Sequence, residues 1–221
     1  MSDRPIIDLS HPIKHGMTTY PGLPGPEISD HMSRDDSRPR YAPDTEFQIG
    51  RIEMVANTGT YLDSPFHRYP DGSDLAGLDL ARLVDVDGVV VDATGAGRAI
   101  GPEALEPYPV TDRAVLIWTG WDKHWATPDY GDPEHPFLTR DAVAWLVEQG
   151  AAVVGIDSVN IDDMADLSRP AHTGLLRARI PIVEHLRGLD RLPPSGFRFH
   201  VAPPPVVGMG SFPVRAYVVV G

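Results

Sequence analysis

The sequence predicts a single α/β domain, and three observations carry that expectation. First, Thr139 opens a run in which Ala142, Val143, Trp145 and Leu146 recur at helical spacing before Gly150 closes it; the strand-like Val153-Val154-Gly155-Ile156-Asp157 follows at once. An N-cap threonine, an apolar stripe and a terminal glycine together mark a helix. Second, Val89-Val90-Val91-Asp92 and Ala114-Val115-Leu116-Ile117-Trp118 are compact aliphatic runs of the kind that form buried strands. Third, 221 residues without an internal repeat or a linker fit one ordinary domain.

The remaining elements read in order. Ile6-Ile7-Asp8-Leu9 is a short first strand, ended by His11-Pro12. Residues 20–45 are rich in proline and charge and show no period, which predicts an exposed excursion, either a lid or a dimer arm. Phe47 to Val55 alternates apolar and polar positions, with a slip at Gly50 that reads as a bulge. Asn57 to His67 reads as a loop, because Gly59 favours a turn and Pro65 disfavours helix. Such a constrained loop can aim Asp63 and His67 at one point. A short helix is expected near Leu78–Leu83 and another over His172–Ala178, leading into a strand at Ile182-Val183-Glu184; Val214 to Val220 is the last strand.

Composition narrows the function. With 19 basic against 31 acidic residues the net charge is −12, which argues against nucleic-acid binding and suits a soluble acidic surface. No segment approaches the ~18 uninterrupted apolar residues of a membrane span, and the first residues lack a signal-peptide pattern, so the expected location is the cytoplasm. The absence of cysteine excludes disulfides and thiolate ligands, leaving histidine and carboxylates to hold any metal.

Nine histidines are present, and company distinguishes two of them. His67 shares its constrained loop with Asp63. His172 stands twelve residues before Glu184, a carboxylate ending the apolar run Ile180-Pro181-Ile182-Val183. A carboxylate at a buried strand needs a partner, and an ion pair with Arg169 or Arg179 is the plain alternative to a metal role for Glu184. Asp157 ends a buried strand and either faces a ligand or caps the next loop. Asp162, Asp163 and Asp166 read as a solvated acidic run. Tyr20, Phe66, Tyr69, Trp121 and Trp125 are available as aromatic walls, and an anionic substrate would call for Arg68 or Arg215 nearby. Neither a Gly-x-Ser-x-Gly nucleophile setting nor a phosphate-binding glycine loop occurs.

Several segments, in order, resemble the cyclase superfamily that contains bacterial kynurenine formamidase and isatin hydrolase. They include Ile7-Asp8-Leu9-Ser10-His11-Pro12, Tyr20-Pro21-Gly22, Gly59-Thr60, Asp63-Ser64-Pro65-Phe66-His67, Thr119-Gly120-Trp121, Gly155-Ile156-Asp157 and Ile182-Val183-Glu184. The resemblance implies a swivelling β/β/α domain with a mixed sheet, assembled as a homodimer or homotetramer. It implies metal-dependent hydrolysis of an amide or cyclic amide in a small, aromatic substrate. By the same resemblance Asp63, His172 and Glu184 are metal ligands, His67 is the acid and base, and Tyr20 packs on the substrate. The family signature, His-x-Gly-Thr-His-x-Asp-x-Pro-x-His, is broken at its first two histidines, which are Asn57 and Tyr61 here. A neutral amide and a phenol of pKa ~10 are poor ligands for zinc. One divalent ion, zinc or manganese, is therefore expected, with Tyr61 donating a hydrogen bond to the developing oxyanion. The alternative is a metal-free cyclase, dehydratase or ligand-binding protein.

Overall fold

The computed structural model describes residues 4–221. In chain order the elements begin with β1 (Ile6–Asp8), β2 (Glu27–Met32), α1 (Arg34–Ser37), β3 (Ile49–Glu53) and β4 (Tyr61–Asp63). There follow β5 (Val86–Asp92), β6 (Ala99–Ile100), β7 (Ala114–Trp118), β8 (Phe137–Leu138), α2 (Arg140–Gln149) and β9 (Val153–Ile156). The chain ends with α3 (Pro170–Arg177), β10 (Ile182–Glu184), β11 (Ser195–His200), β12 (Ser211–Pro213) and β13 (Tyr217–Val220).

Nine strands form one mixed sheet in the order β1-β13-β11-β5-β7-β9-β10-β4-β12. Its centre, β5-β7-β9-β10, is parallel; every pair outside it is antiparallel. Parallel neighbours need crossovers. Between β7 and β9 the crossover includes α2, and between β9 and β10 it includes α3. The expected helix forms as α2, with Thr139 Oγ1 accepting from Ala142 N at 3.2 Å and Gly150 closing the last turn at φ +75°.

Both faces of the central strands are buried, which is why they read as unbroken aliphatic runs. Val89, Val91, Val115, Ile117, Val154 and Ile156 pack beneath the two longer helices with Val143, Leu146 and Leu175. The alternate residues Val90, Leu116 and Val153 meet Leu62, Val183 and Phe199 on the other side, where the curled sheet encloses its own second core. Among the described residues, no helix is long and apolar enough to cross a membrane.

Several expectations change. The segment 57–67 is not loop throughout: Tyr61–Asp63 is a fully buried strand between β10 and β12. The proline-rich excursion contains β2, paired antiparallel with β3, and α1 with a Ser33–Asp36 capping box. The register shift lies opposite Gly50, in β2, between Asp30 and Met32. Nearly all of this hairpin is exposed, including Ile28, Ile49 and Ile52, so its alternation does not mark a core-facing strand. Near Leu78–Leu83 the chain makes only 3₁₀ turns.

Asp157, just beyond β9, accepts from Thr119 N at 2.9 Å, Thr119 Oγ1 at 2.6 Å and Gly120 N at 2.8 Å. It ties the loop after β7 to the end of β9. Burial pushes its carboxyl up to about 7 against those three donors. The folded state therefore holds this proton more tightly than the unfolded chain, and the associated stability is complete below pH ~4 and fades as pH rises through 7. In thermal melts from pH 4 to 7, Asp157→Asn should flatten the fall in Tm with pH; an unchanged slope would show that Asp157 ionises normally.

Candidate metal centre

The β-sheet register assembles the site. Leu62 and Val183 are partners pointing into the second core. Their neighbours Tyr61, Asp63 and Glu184 therefore project from the opposite face, towards α3. Tyr61 lies opposite Glu184, and Ser211 of β12 lies opposite Asp63. Asp63 and Glu184 are completely buried.

Each acid is held by identifiable donors. Tyr61 donates its hydroxyl to Glu184 Oε2, and Ile161 N donates to Oε1 at 2.7 Å. Burial and the neighbouring Asp63 charge push the Glu184 carboxyl up to about 7, against the lowering charge of His172. Burial likewise drives the Tyr61 phenol well above its usual range, and both carboxylates add to this, so it stays protonated and donates. Neither Arg169 nor Arg179 forms an ion pair with Glu184. Ser211 donates to Asp63 Oδ1. Burial alone would raise the Asp63 carboxyl, but the imidazoles of His172 and His67 and the Ser211 hydroxyl hold it below the ordinary carboxylate range.

His172 comes from the first turn of α3. Asp162 accepts from the backbone N–H of Ala171 and His172 and from His172 Nδ1 at 2.6 Å. This leaves Nε2 facing the acids, 3.5 Å from Asp63 Oδ2 and 3.9 Å from Glu184 Oε1. Burial would lower the His172 pKa, yet the surrounding carboxylates of Asp162, Asp63 and Glu184 raise it well above the usual imidazole value. Asp162 is thus fully buried and not a solvated acid as its sequence setting suggests. Its partners are nine and ten residues away across a loop, so no local capping pattern reveals it.

His67 ends a 3₁₀ turn begun by Pro65. Its Nδ1 lies 2.9 Å from Ser211 Oγ and 3.7 Å from Asp63 Oδ1. With the serine proton committed to Asp63, Ser211 accepts from Nδ1–H and leaves Nε2 as the basic nitrogen. Gly210 permits this fit: a Cβ there would lie 2.5 Å from His67 N and Cα.

Asp63 Oδ2 is buried without a hydrogen-bond partner. Its nearest positive group is the His172 imidazole, at 3.5 Å and too far for a good hydrogen bond. A cation between the two would take up that oxygen directly, and the nitrogen and oxygen donors suit zinc or manganese. Ligand atoms of Asp63, His67 and His172 lie within 4.8 Å of one another, so geometry adds His67 to the neighbourhood, while Glu184 approaches through His172.

A cavity of about 280 Å³ opens over these groups, and Tyr20, Asn57, Arg68 and Arg169 reach it. The other aromatic candidates serve elsewhere. Trp125 stacks on His11 at 3.9 Å and packs near Tyr130 and His185, while Trp121 Nε1 donates to Tyr130 O at 3.0 Å. Tyr69 donates to Thr173 O at 2.8 Å and steadies α3. Phe66 does not line the cavity. Arg215 pairs with Asp8 at 2.8 Å, away from this cavity. Behind Tyr61, buried His185 approaches Tyr130 Oη with Nδ1 at 2.7 Å, and burial pushes its pKa down to about 3.

A family model described as "Putative cyclase" matches residues 7–163. Kynurenine formamidase of Bacillus mycoides (strain KBAB4) is 27% identical over 220 residues, covering 96% of each chain. That of Geobacillus thermodenitrificans (strain NG80-2) is 28% identical over 214 residues, again covering 96% of each. Isatin hydrolase A from Labrenzia aggregata, bound to benzyl benzoate, superposes with a TM-score of 0.84 at 22% identity, over 98% of this chain and 93% of that one. A structure described as a potential metal-dependent hydrolase with cyclase activity gives 0.79 at 25% identity, over 97% and 96%.

Replacing Asp162 by Asn would leave one neutral oxygen where three N–H groups now share a carboxylate, and so loosen the His172 ring. Divalent-metal affinity should then fall 10–100-fold in a competition titration with a chromogenic chelator. Unchanged affinity would show that this contact does not orient a ligand.

Proposed function

Since the chain belongs to the cyclase family, we propose that it is a metal-dependent hydrolase cleaving the C–N bond of a small aryl amide or cyclic amide. The observation that carries this reading is the unpartnered, buried Asp63 Oδ2 facing His172 Nε2 beside a second buried acid. Asp63, His172 and Glu184 would hold one zinc or manganese ion. When bound, that ion would supply a Lewis acid to polarise the carbonyl and make water more acidic. The kynurenine formamidase relatives support the amide class.

The chain's own groups divide the remaining work. Tyr20 lies against the aromatic ring at the cavity mouth. His67 Nε2 takes a proton from the attacking water, held in the right tautomer by Ser211, and returns it to the leaving nitrogen as the C–N bond breaks. Tyr61 keeps its proton on Glu184 and steadies that acid; if Glu184 takes up a proton instead, the phenol is released to the oxyanion. Tyr61 and Asn57 stand where the family signature has histidine, which leaves one cation per chain. The exposed apolar hairpin β2–β3 fits an arm closing a homodimer or homotetramer, whose mass light scattering reads directly.

Protein purified without chelator should carry about one divalent ion per chain by elemental analysis, rising towards two in Asn57→His/Tyr61→His. No bound ion in the wild type, with turnover intact, would favour the metal-free cyclase or dehydratase. His67→Ala should retain the ion and lower turnover of aryl formamides by about 10²-fold or more. Loss of the ion instead would make His67 a ligand, and full activity would remove it from the chemistry.

A further inference from the structure

The floor of the cavity is acidic, yet two arginines reach the same space. Arg68 directly follows His67, and Arg169 precedes α3 three residues before His172. Among the described residues neither guanidinium has a carboxylate within ion-pair distance, whereas Arg38, Arg98, Arg198 and Arg215 each have one at 2.7–2.8 Å. Seven of the 19 basic residues pair with a carboxylate among the described residues; what sets Arg68 and Arg169 apart from the other unpaired ones is that both line the cavity over the candidate metal centre.

Both are braced by the scaffold. Arg68 lies over the Tyr69 ring at 5.3 Å, and the Tyr69 hydroxyl is fixed to Thr173 O of α3. Arg169 has a left-handed backbone, φ +49°, and its Nη1 is 3.4 Å from Asp163 O. A bulky residue in that conformation is held there by its surroundings.

We propose that Arg68 and Arg169 form a clamp for a carboxylate on the substrate, so that the preferred class is a small aryl amide bearing an anionic group. This rests on the hydrolase reading above for the reaction, but not for the binding. The cavity, about 280 Å³, is at the small end of ligand pockets and suits a single substituted ring. The amide carbonyl lies over His67 and His172, the ring against Tyr20, and the carboxylate on the two guanidiniums, whose planar forks match it. The two guanidiniums at the rim orient the molecule by drawing its anionic end to the mouth, which leaves the amide over His67 and His172.

The test compares 2-formamidobenzoate with its neutral isostere 2-formamidobenzamide. In wild type, kcat/KM for the carboxylate should exceed that for the carboxamide at least tenfold. Arg68→Met and Arg169→Met should each bring that ratio towards one, through KM rather than kcat, with bound metal unchanged. The preference should also shrink in high salt. A ratio near one in wild type, or one that neither substitution alters, overturns the clamp. If neither formamide is turned over, the hydrolase reading fails separately. Titration calorimetry of 2-aminobenzoate against 2-aminobenzamide then decides the clamp: a tenfold preference lost in both variants upholds it, and equal affinities in wild type refute it.

Discussion

Two carboxylates buried side by side are the constraint around which this molecule is organised. Asp63 and Glu184 sit on adjacent strands with no exposure to water. Like charges so placed repel, and burial penalises both. The protein answers by pushing them apart, with Asp63 held low by imidazoles and a hydroxyl, and Glu184 raised to about 7. Every other element of the site supplies a donor to this pair. Tyr61 comes from β4, Ile161 N from the loop after β9, Ser211 from β12 and His172 from α3.

The donors are themselves held from behind. Asp162 satisfies two amides at the start of α3 and fixes the His172 ring. Ser211 bridges Asp63 and His67, so a fully buried acid and an exposed imidazole share one hydroxyl. Histidine orientation in such a site depends on these outer contacts as much as on the ring itself. Tyr61 places a permanent proton donor on Glu184, which tempers the charge of the more crowded acid.

Much of this was legible in the residues. The helix at 140–149 and the strands at 114–118 and 153–156 carry strong local signals, because packing there agrees with propensity. Asp63, His67, His172 and Glu184 could be singled out, and the structure places them close together, with His67, His172 and Glu184 on the cavity and Asp63 buried beside them. What escaped was set by distant contacts. β4 is three residues long and sits among a glycine and a proline, so only its partners make it a strand. The alternation over Phe47 to Val55 is legible, but the strand it marks lies in an exposed hairpin, since period alone does not say what covers a face. Asp162 lies in an acidic, loop-like stretch, and Ser211 precedes a two-residue apolar step; neither carries a pattern that points to its role.

The alternation along β4 has a further consequence. Leu62 points into hydrocarbon while Tyr61 and Asp63 point to the opposite face, where Tyr61 lines the cavity. Adding or removing one residue after Gly59 would exchange those directions, driving an acid into oil and a leucine into the reaction space. A replacement at 57 or 61 leaves the strand lattice untouched and alters only what the cradle offers. Such a scaffold can trade one chemistry for another letter by letter, and its divergence is expected to accumulate as exchanges of side chains, with few gaps in this segment.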